Sequence, residues 1–191
     1  MNLTQKVSVT IAFLLYWPLS YQILKGKATQ NLATFILWGL LDVIVGVSLF
    51  VQGGNYQLPL VYVAGCTLVI ASIVKSKNFG RWTSYETFVS IMVVGCCVAW
   101  ALSGSWYATI FSTAGVVIAG LPQIRDSWRN PETSPVLIYI GYTVANSLST
   151  IGGKSWTVEE RLYSGACTIL TLVVIGASLR TSPKQRAEYS H

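Results

Sequence analysis

The sequence predicts an all-α integral membrane protein with seven transmembrane helices, set out as two parallel three-helix repeats joined by a spacer helix (a 3+1+3 plan). Three observations predict it. The chain carries too little charge to dress a water-facing surface. Its apolar residues fall into seven runs of bilayer length. The first three runs echo the last three.

Of the 191 residues, 10% are charged and 52% are apolar, and the mean hydropathy is +0.53. A soluble domain carries about 25% charged residues. That shortfall excludes a water-soluble globule, a nucleic-acid binder and a disordered chain, although the formal net charge is +6. Residues 5–24, 31–52, 57–75, 85–104, 106–124, 134–152 and 159–180 each approach the roughly 20 apolar residues that a crossing helix needs. Turn residues separate them: Lys25-Gly26-Lys27, Gly53-Gly54-Asn55, Asn78-Phe79-Gly80, Ser103-Gly104-Ser105, Arg129-Asn130-Pro131 and Gly152-Gly153-Lys154. No small-residue cleavage pattern follows the first run, which is expected to stay in the mature chain.

Lysine and arginine give the orientation. With seven spans, one side receives Lys25, Lys27, Lys75, Lys77, Arg81, Arg125, Arg129, Arg180, Lys184 and Arg186, and the other only Lys6, Lys154 and Arg161. The N-terminus is expected outside and the C-terminus in the cytoplasm, in a plasma or bacterial inner membrane. The basic pI of about 9.2 is then a topology signal.

Pro18 set on Pro122 aligns Thr29 with Thr133, Phe35 with Tyr139, Ile36 with Ile140, Trp38 with Tyr142 and Asp42 with Asn146, at one constant offset. Gly53-Gly54 then answers Gly152-Gly153, and in the third helices Tyr62 and Cys66-Thr67 answer Tyr163 and Cys167-Thr168. An odd number of helices per copy would insert a directly fused second copy upside down. The fourth helix restores the starting side, so both copies run the same way. The expected division is 1–76 for the first repeat, 77–104 for the linker and spacer, 105–180 for the second repeat, and 181–191 for a cytoplasmic tail. Parallel repeats are one transporter architecture, with the solute site near the midplane between them.

Asp42 is the one acid well inside an expected span. A charged aspartate at a helix centre costs about 2.5–3.5 kcal/mol on insertion scales, so such a residue faces a cavity or a partner. Trp38 and Asp42 share a helix face, and Tyr142 and Asn146 repeat the arrangement. An aromatic and a hydrogen-bonding group from each half make a clamp for a small polar solute; helix-to-helix glue is the alternative. A desolvated carboxyl holds a proton more readily, so Asp42 is also a candidate for proton coupling. Tyr62 with Cys66 and Tyr163 with Cys167 form one face on each third helix, either lining the site or packing helices. Pro18 and Pro122 each remove a helix hydrogen bond and kink the chain, as static bends or as hinges. Gln22 and Gln123 follow them, to satisfy freed carbonyls or to line an inner gate. Cys96 and Cys97 read as packing in the spacer.

Leu121-Pro122-Gln123-Ile124, with Asn130, Thr133 and Ser134 after it, resembles the proline-glutamine motif of PQ-loop membrane proteins. The first copy, Trp17-Pro18-Leu19-Ser20-Tyr21-Gln22, is degenerate. The 3+1+3 plan is similar to that of the SWEET sugar transporters in that superfamily. The resemblance implies alternating access with the prolines as hinges, and stacking of a sugar on the second-helix aromatics Trp38 and Tyr142. It also implies an asparagine on the third helix, where this chain has Ala64-Gly65-Cys66 and Gly165-Ala166-Cys167.

The leading expectation is therefore a transporter or facilitator of a small polar solute, a sugar first. A proton-coupled carrier of an amino acid or similar metabolite using Asp42 is the second, and a seven-helix sorting receptor like the KDEL receptor the third. No enzyme, metal or cofactor is expected. The single histidine, His191, excludes a histidine-based dyad or metal site, and residues 159–180 hold no lysine for a retinal Schiff base. The expected partners are the solute and the lipid bilayer, not nucleic acid, and a homo-oligomer is compatible with the sequence.

Overall fold

Asn2 accepts a hydrogen bond from the Gln5 N–H, and the Gln5 side chain accepts one from the Asn2 N–H. This reciprocal cap starts α1 (Leu3–Leu24). The structure is a computed structural model, and it describes residues 2–77, 82–102 and 105–179. Asn31 caps α2 (Leu32–Val51) by accepting from the Thr34 N–H at 3.1 Å. α3 (Gln57–Ser76) ends where Lys77 turns left-handed, with φ 55°. Thr83 and Glu86 form a second reciprocal cap on α4 (Ser84–Ala101). α5 (Ser105–Ala119) and α6 (Leu121–Arg129) are one apolar run interrupted at Gly120. A 3-10 turn, Pro131–Thr133, leads into α7 (Val136–Ile151), and α8 (Val158–Ser178) follows.

All regular structure among the described residues is helical. Among the described residues, six helices are long and apolar enough to cross a bilayer, which suggests a multi-pass membrane protein: α1, α2, α3, α4, α8 and the α5–α6 run Trp106–Arg129. The sequence led to an expectation of seven such spans. The sixth, 134–152, is the shorter α7 of 16 residues, about 24 Å at 1.5 Å per residue. Pro131 and Pro135 account for this, because each steers the residue before it away from the helical region. The turns Asn78–Gly80 and Ser103-Gly104, Arg81, and the basic tail from Arg180 onward lie outside the described residues.

Helix contacts follow a regular scheme. α3 packs on α1 and α2, and α8 packs on α5, α6 and α7. Across the middle, α1 meets α7 and α2 meets α5, while α4 rests chiefly on α5. Small residues permit the close crossings, as expected where no water drives helices together. A Cβ on Gly65 of α3 would lie 1.9 Å from the Tyr16 ring, and one on Gly141 of α7 would lie 2.7 Å from Leu15. Large apolar side chains such as Leu14, Leu40, Val47, Phe50, Leu137 and Ile169 point outward, where lipid covers them.

Both ends of the bundle are tied across the halves. At one end the Thr29 and Thr133 hydroxyls lie 2.7 Å apart, and the Thr29 N–H donates to the Thr133 carbonyl. At the other, the Asn2 amide donates to the Gly152 carbonyl at 2.6 Å, and the Asn55 amide to Ser149 Oγ at 2.8 Å. Arg161 closes the α7–α8 connection by donating to the carbonyls of Thr150, Gly153 and Ser155 while its guanidinium covers the Trp156 ring.

The Gly65 contact yields a test. Gly65→Ala is expected to destabilise the protein by about 1–3 kcal/mol, the range for overpacking, because the ring it strikes is itself wedged between helices. Thermal unfolding in detergent measures this, with Gly95→Ala, whose Cβ meets nothing within 4 Å, as the neutral control.

Candidate functional site

A cavity of about 60 Å³ lies between the two halves, room for a few waters or one small organic molecule. Trp38, Asp42, Tyr62 and Cys66 border it from the first half, and Tyr142, Asn146, Tyr163 and Cys167 from the second. These are the eight residues that helical spacing singles out as candidates. The two faces meet because α2 and α7 sit on opposite walls, each backed by its own third helix.

The hydrogen bonding is reciprocal. The Tyr163 hydroxyl on α8 donates to Asp42 Oδ1 on α2 at 2.6 Å. The Tyr62 hydroxyl on α3 donates to Asn146 Oδ1 on α7 at 2.9 Å. Each third-helix tyrosine thus crosses to the polar second-helix residue of the other half. Asp42 is 2% exposed and Asn146 1%. Buried polar groups require such partners, and both are met from across the cavity. The Asn146 amide is bonded at both ends, since one of its N–H groups also donates to the Tyr142 carbonyl at 2.9 Å.

The aromatic rings form a connected belt. Tyr16 lies 5.3 Å from Tyr142 and 6.2 Å from Tyr62, ring centre to ring centre. Tyr62 lies 6.3 Å from Tyr163, and Tyr142 lies 6.4 Å from Tyr139. Trp38 is fixed by its indole N–H, which donates to the Val116 carbonyl at 2.8 Å. The Tyr142 hydroxyl, by contrast, is buried without a hydrogen-bond partner.

The hinge and gate candidates fall elsewhere. Pro122 stands in the first turn of α6, just past the interruption at Gly120, whereas Pro18 lies inside the continuous α1. Gly120 is where the packing needs no side chain: Leu170 and the Trp38 ring lie 2.8 Å and 3.2 Å from where its Cβ would be. Gln123 is buried beyond the cavity, accepting from the Asn31 N–H at 3.1 Å and donating to Ser127 Oγ at 3.3 Å. Asn31 also donates to Asp126 Oδ2 at 2.9 Å. Gln22 contributes its backbone carbonyl, which accepts from Lys27 and Ala28.

Tyr16, Phe35, Tyr139 and Thr171 also border the cavity; they were not among the candidate site residues. Phe35 and Tyr139 were visible as a matched pair in the repeat. Tyr16 had no such signal, because its counterpart at the repeat offset is Gly120. No family model, curated protein or solved structure matches the chain.

Two conservative substitutions separate bonded from unbonded hydroxyls. Tyr139 donates to Gln30 Oε1 at 2.8 Å, so Tyr139→Phe is expected to cost about 1 kcal/mol. Tyr142→Phe removes a hydroxyl with no partner and is expected to leave stability unchanged within about 0.5 kcal/mol. Denaturation of the purified variants side by side checks both.

Proposed function

We propose that the protein is a membrane transporter or facilitator that moves a small polar solute by alternating access through the cavity between its two halves. The reciprocal pair Tyr163–Asp42 and Tyr62–Asn146 carries the reading. Polar groups at bilayer depth are costly and mark pathways, and here they face one cavity from equivalent positions of a repeat. In this reading α1–α3 and α5–α8 are two like-oriented repeats, α4 is the spacer, and α5 with α6 counts as one broken span. The packing scheme supports this, since α1 with α7 and α2 with α5 exchange under a two-fold axis. We take the N-terminus to lie outside and the membrane to be a plasma or inner membrane, on the distribution of lysine and arginine.

Alternating access requires that one end open while the other stays shut. The Thr29–Thr133 contact is the tie at the end where α1 and α6 finish, and in this reading Pro122, which follows the turn at Gly120, is the hinge beneath it. The resemblance to PQ-loop and SWEET proteins brings a sugar as the first class of solute. The walls add only that the solute is small and meets one carboxyl, one amide and several aromatic rings.

A double cysteine variant, Thr29→Cys with Thr133→Cys, tests the mechanism in liposomes. Oxidation is expected to form the cross-link and stop solute exchange, and reduction to restore it, with each single variant unaffected. Exchange that continues through the cross-linked protein would contradict alternating access at this end.

A further inference from the structure

The cavity holds a carboxyl group without a countercharge. Asp42 is 2% exposed, and its partner is a single hydroxyl, that of Tyr163. Among the described residues, no lysine, arginine or histidine borders the space. A buried charge is strongly unfavourable unless it is paired, so a charged Asp42 calls for a cation from the solute. The rest of the wall suits that cation. Rings of tyrosine and tryptophan attract a cation within about 6 Å of their centres, and the belt from Tyr139 through Tyr142, Tyr16 and Tyr62 to Tyr163 has neighbours 5.3–6.4 Å apart. The Tyr142 hydroxyl, buried here without a partner, offers an acceptor or donor to a polar tail on the same solute.

Other solute classes fit less well. A zwitterionic amino acid would set its own carboxylate among rings and Asp42 with no basic group to receive it. A sugar needs many directed hydrogen bonds, yet the donors of Tyr62, Tyr139 and Tyr163 and one N–H of Asn146 already serve the protein's own bonds. A proton on Asp42 would relieve the missing countercharge in another way, and then neutral solutes would bind as well as charged ones.

We propose that the cavity binds a small organic cation, an ammonium or quaternary ammonium compound, paired to Asp42 and enclosed by the rings of Trp38, Tyr16, Tyr62, Tyr142 and Tyr163. This rests on the transport reading above and narrows its solute to one chemical class.

Choline and its neutral isostere, in which carbon replaces the quaternary nitrogen, test the inference on the purified full chain by thermal shift and equilibrium binding. Choline is expected to raise the melting temperature, and the isostere and glucose to leave it unmoved. Asp42→Asn is expected to weaken choline binding at least about tenfold, Tyr142→Leu several-fold, and Tyr142→Phe less than Tyr142→Leu, since it keeps the ring and loses only the hydroxyl offered to the polar tail. Equal stabilisation by choline and its isostere, stabilisation by glucose alone, or unchanged choline binding in Asp42→Asn would each overturn the inference. The isostere comparison needs no variant, so it decides the matter even if Asp42→Asn fails to fold. Liposome flux keeps the two readings apart. Glucose exchange without choline binding discards the cation and retains transport. Choline binding that depends on Asp42, with no flux of any solute, retains the cation site and discards transport.

Discussion

A polar group at the depth of the bilayer has no water to fall back on, and the arrangement of these helices follows from meeting that demand at two places. Asp42 and Asn146 lie near the middles of α2 and α7, where an unsatisfied group costs several kcal/mol. The Asp42 carboxyl and the Asn146 carbonyl each take a hydrogen bond from the other half. Tyr163 reaches from α8 to Asp42, and Tyr62 reaches from α3 to Asn146. Each half is therefore incomplete without the other, and polar groups hold the halves together where apolar contact alone would bind them no better than lipid does.

The same two bonds fix the surrounding aromatics. For Tyr62 and Tyr163 to reach across, α3 and α8 must stand close to the centre, and α1 must come in behind α3. Gly65 permits this by leaving room for the Tyr16 ring, and Gly120 does so in the other half by admitting Leu170 and the Trp38 ring. The second crossing falls at Gly120, the turn residue between α5 and α6. The halves thus share one plan of bonds while differing in backbone. α1 runs continuously through Pro18, and its counterpart is interrupted beside Pro122. That asymmetry sits next to the cavity wall, since Gly120 packs against Trp38 and Leu170, which border the cavity.

Much of this could be read from residues, and the reasons are physical. Helical spacing put Trp38 with Asp42 and Tyr142 with Asn146 on single faces, and the repeat paired the faces, so eight candidates came to border one cavity. The crossing of the hydrogen bonds was not legible, because spacing along a helix says nothing about which helix lies opposite. Tyr16 escaped because a repeat argument finds only residues with a counterpart, and its counterpart is a glycine. The expected span 134–152 begins before the helix does, because the segment Pro131-Glu132-Thr133-Ser134-Pro135 is polar and proline-bounded and delays the helix to Val136. Pro18 and Pro122 are equivalent in sequence and differ in structure: Pro18 lies inside the continuous α1, and Pro122 stands in the first turn of α6.

The central claim is that the two halves are coupled through a tyrosine from each. Double-mutant cycles on unfolding in bilayer-mimetic micelles measure that coupling directly. Tyr163→Phe with Asp42→Asn, and Tyr62→Phe with Asn146→Leu, are each expected to show an interaction of about 0.5–1.5 kcal/mol. The uncrossed combination, Tyr62→Phe with Asp42→Asn, is expected to be additive within about 0.3–0.5 kcal/mol. Additivity in both crossed pairs, or a larger coupling within one half than across the two, would contradict the account.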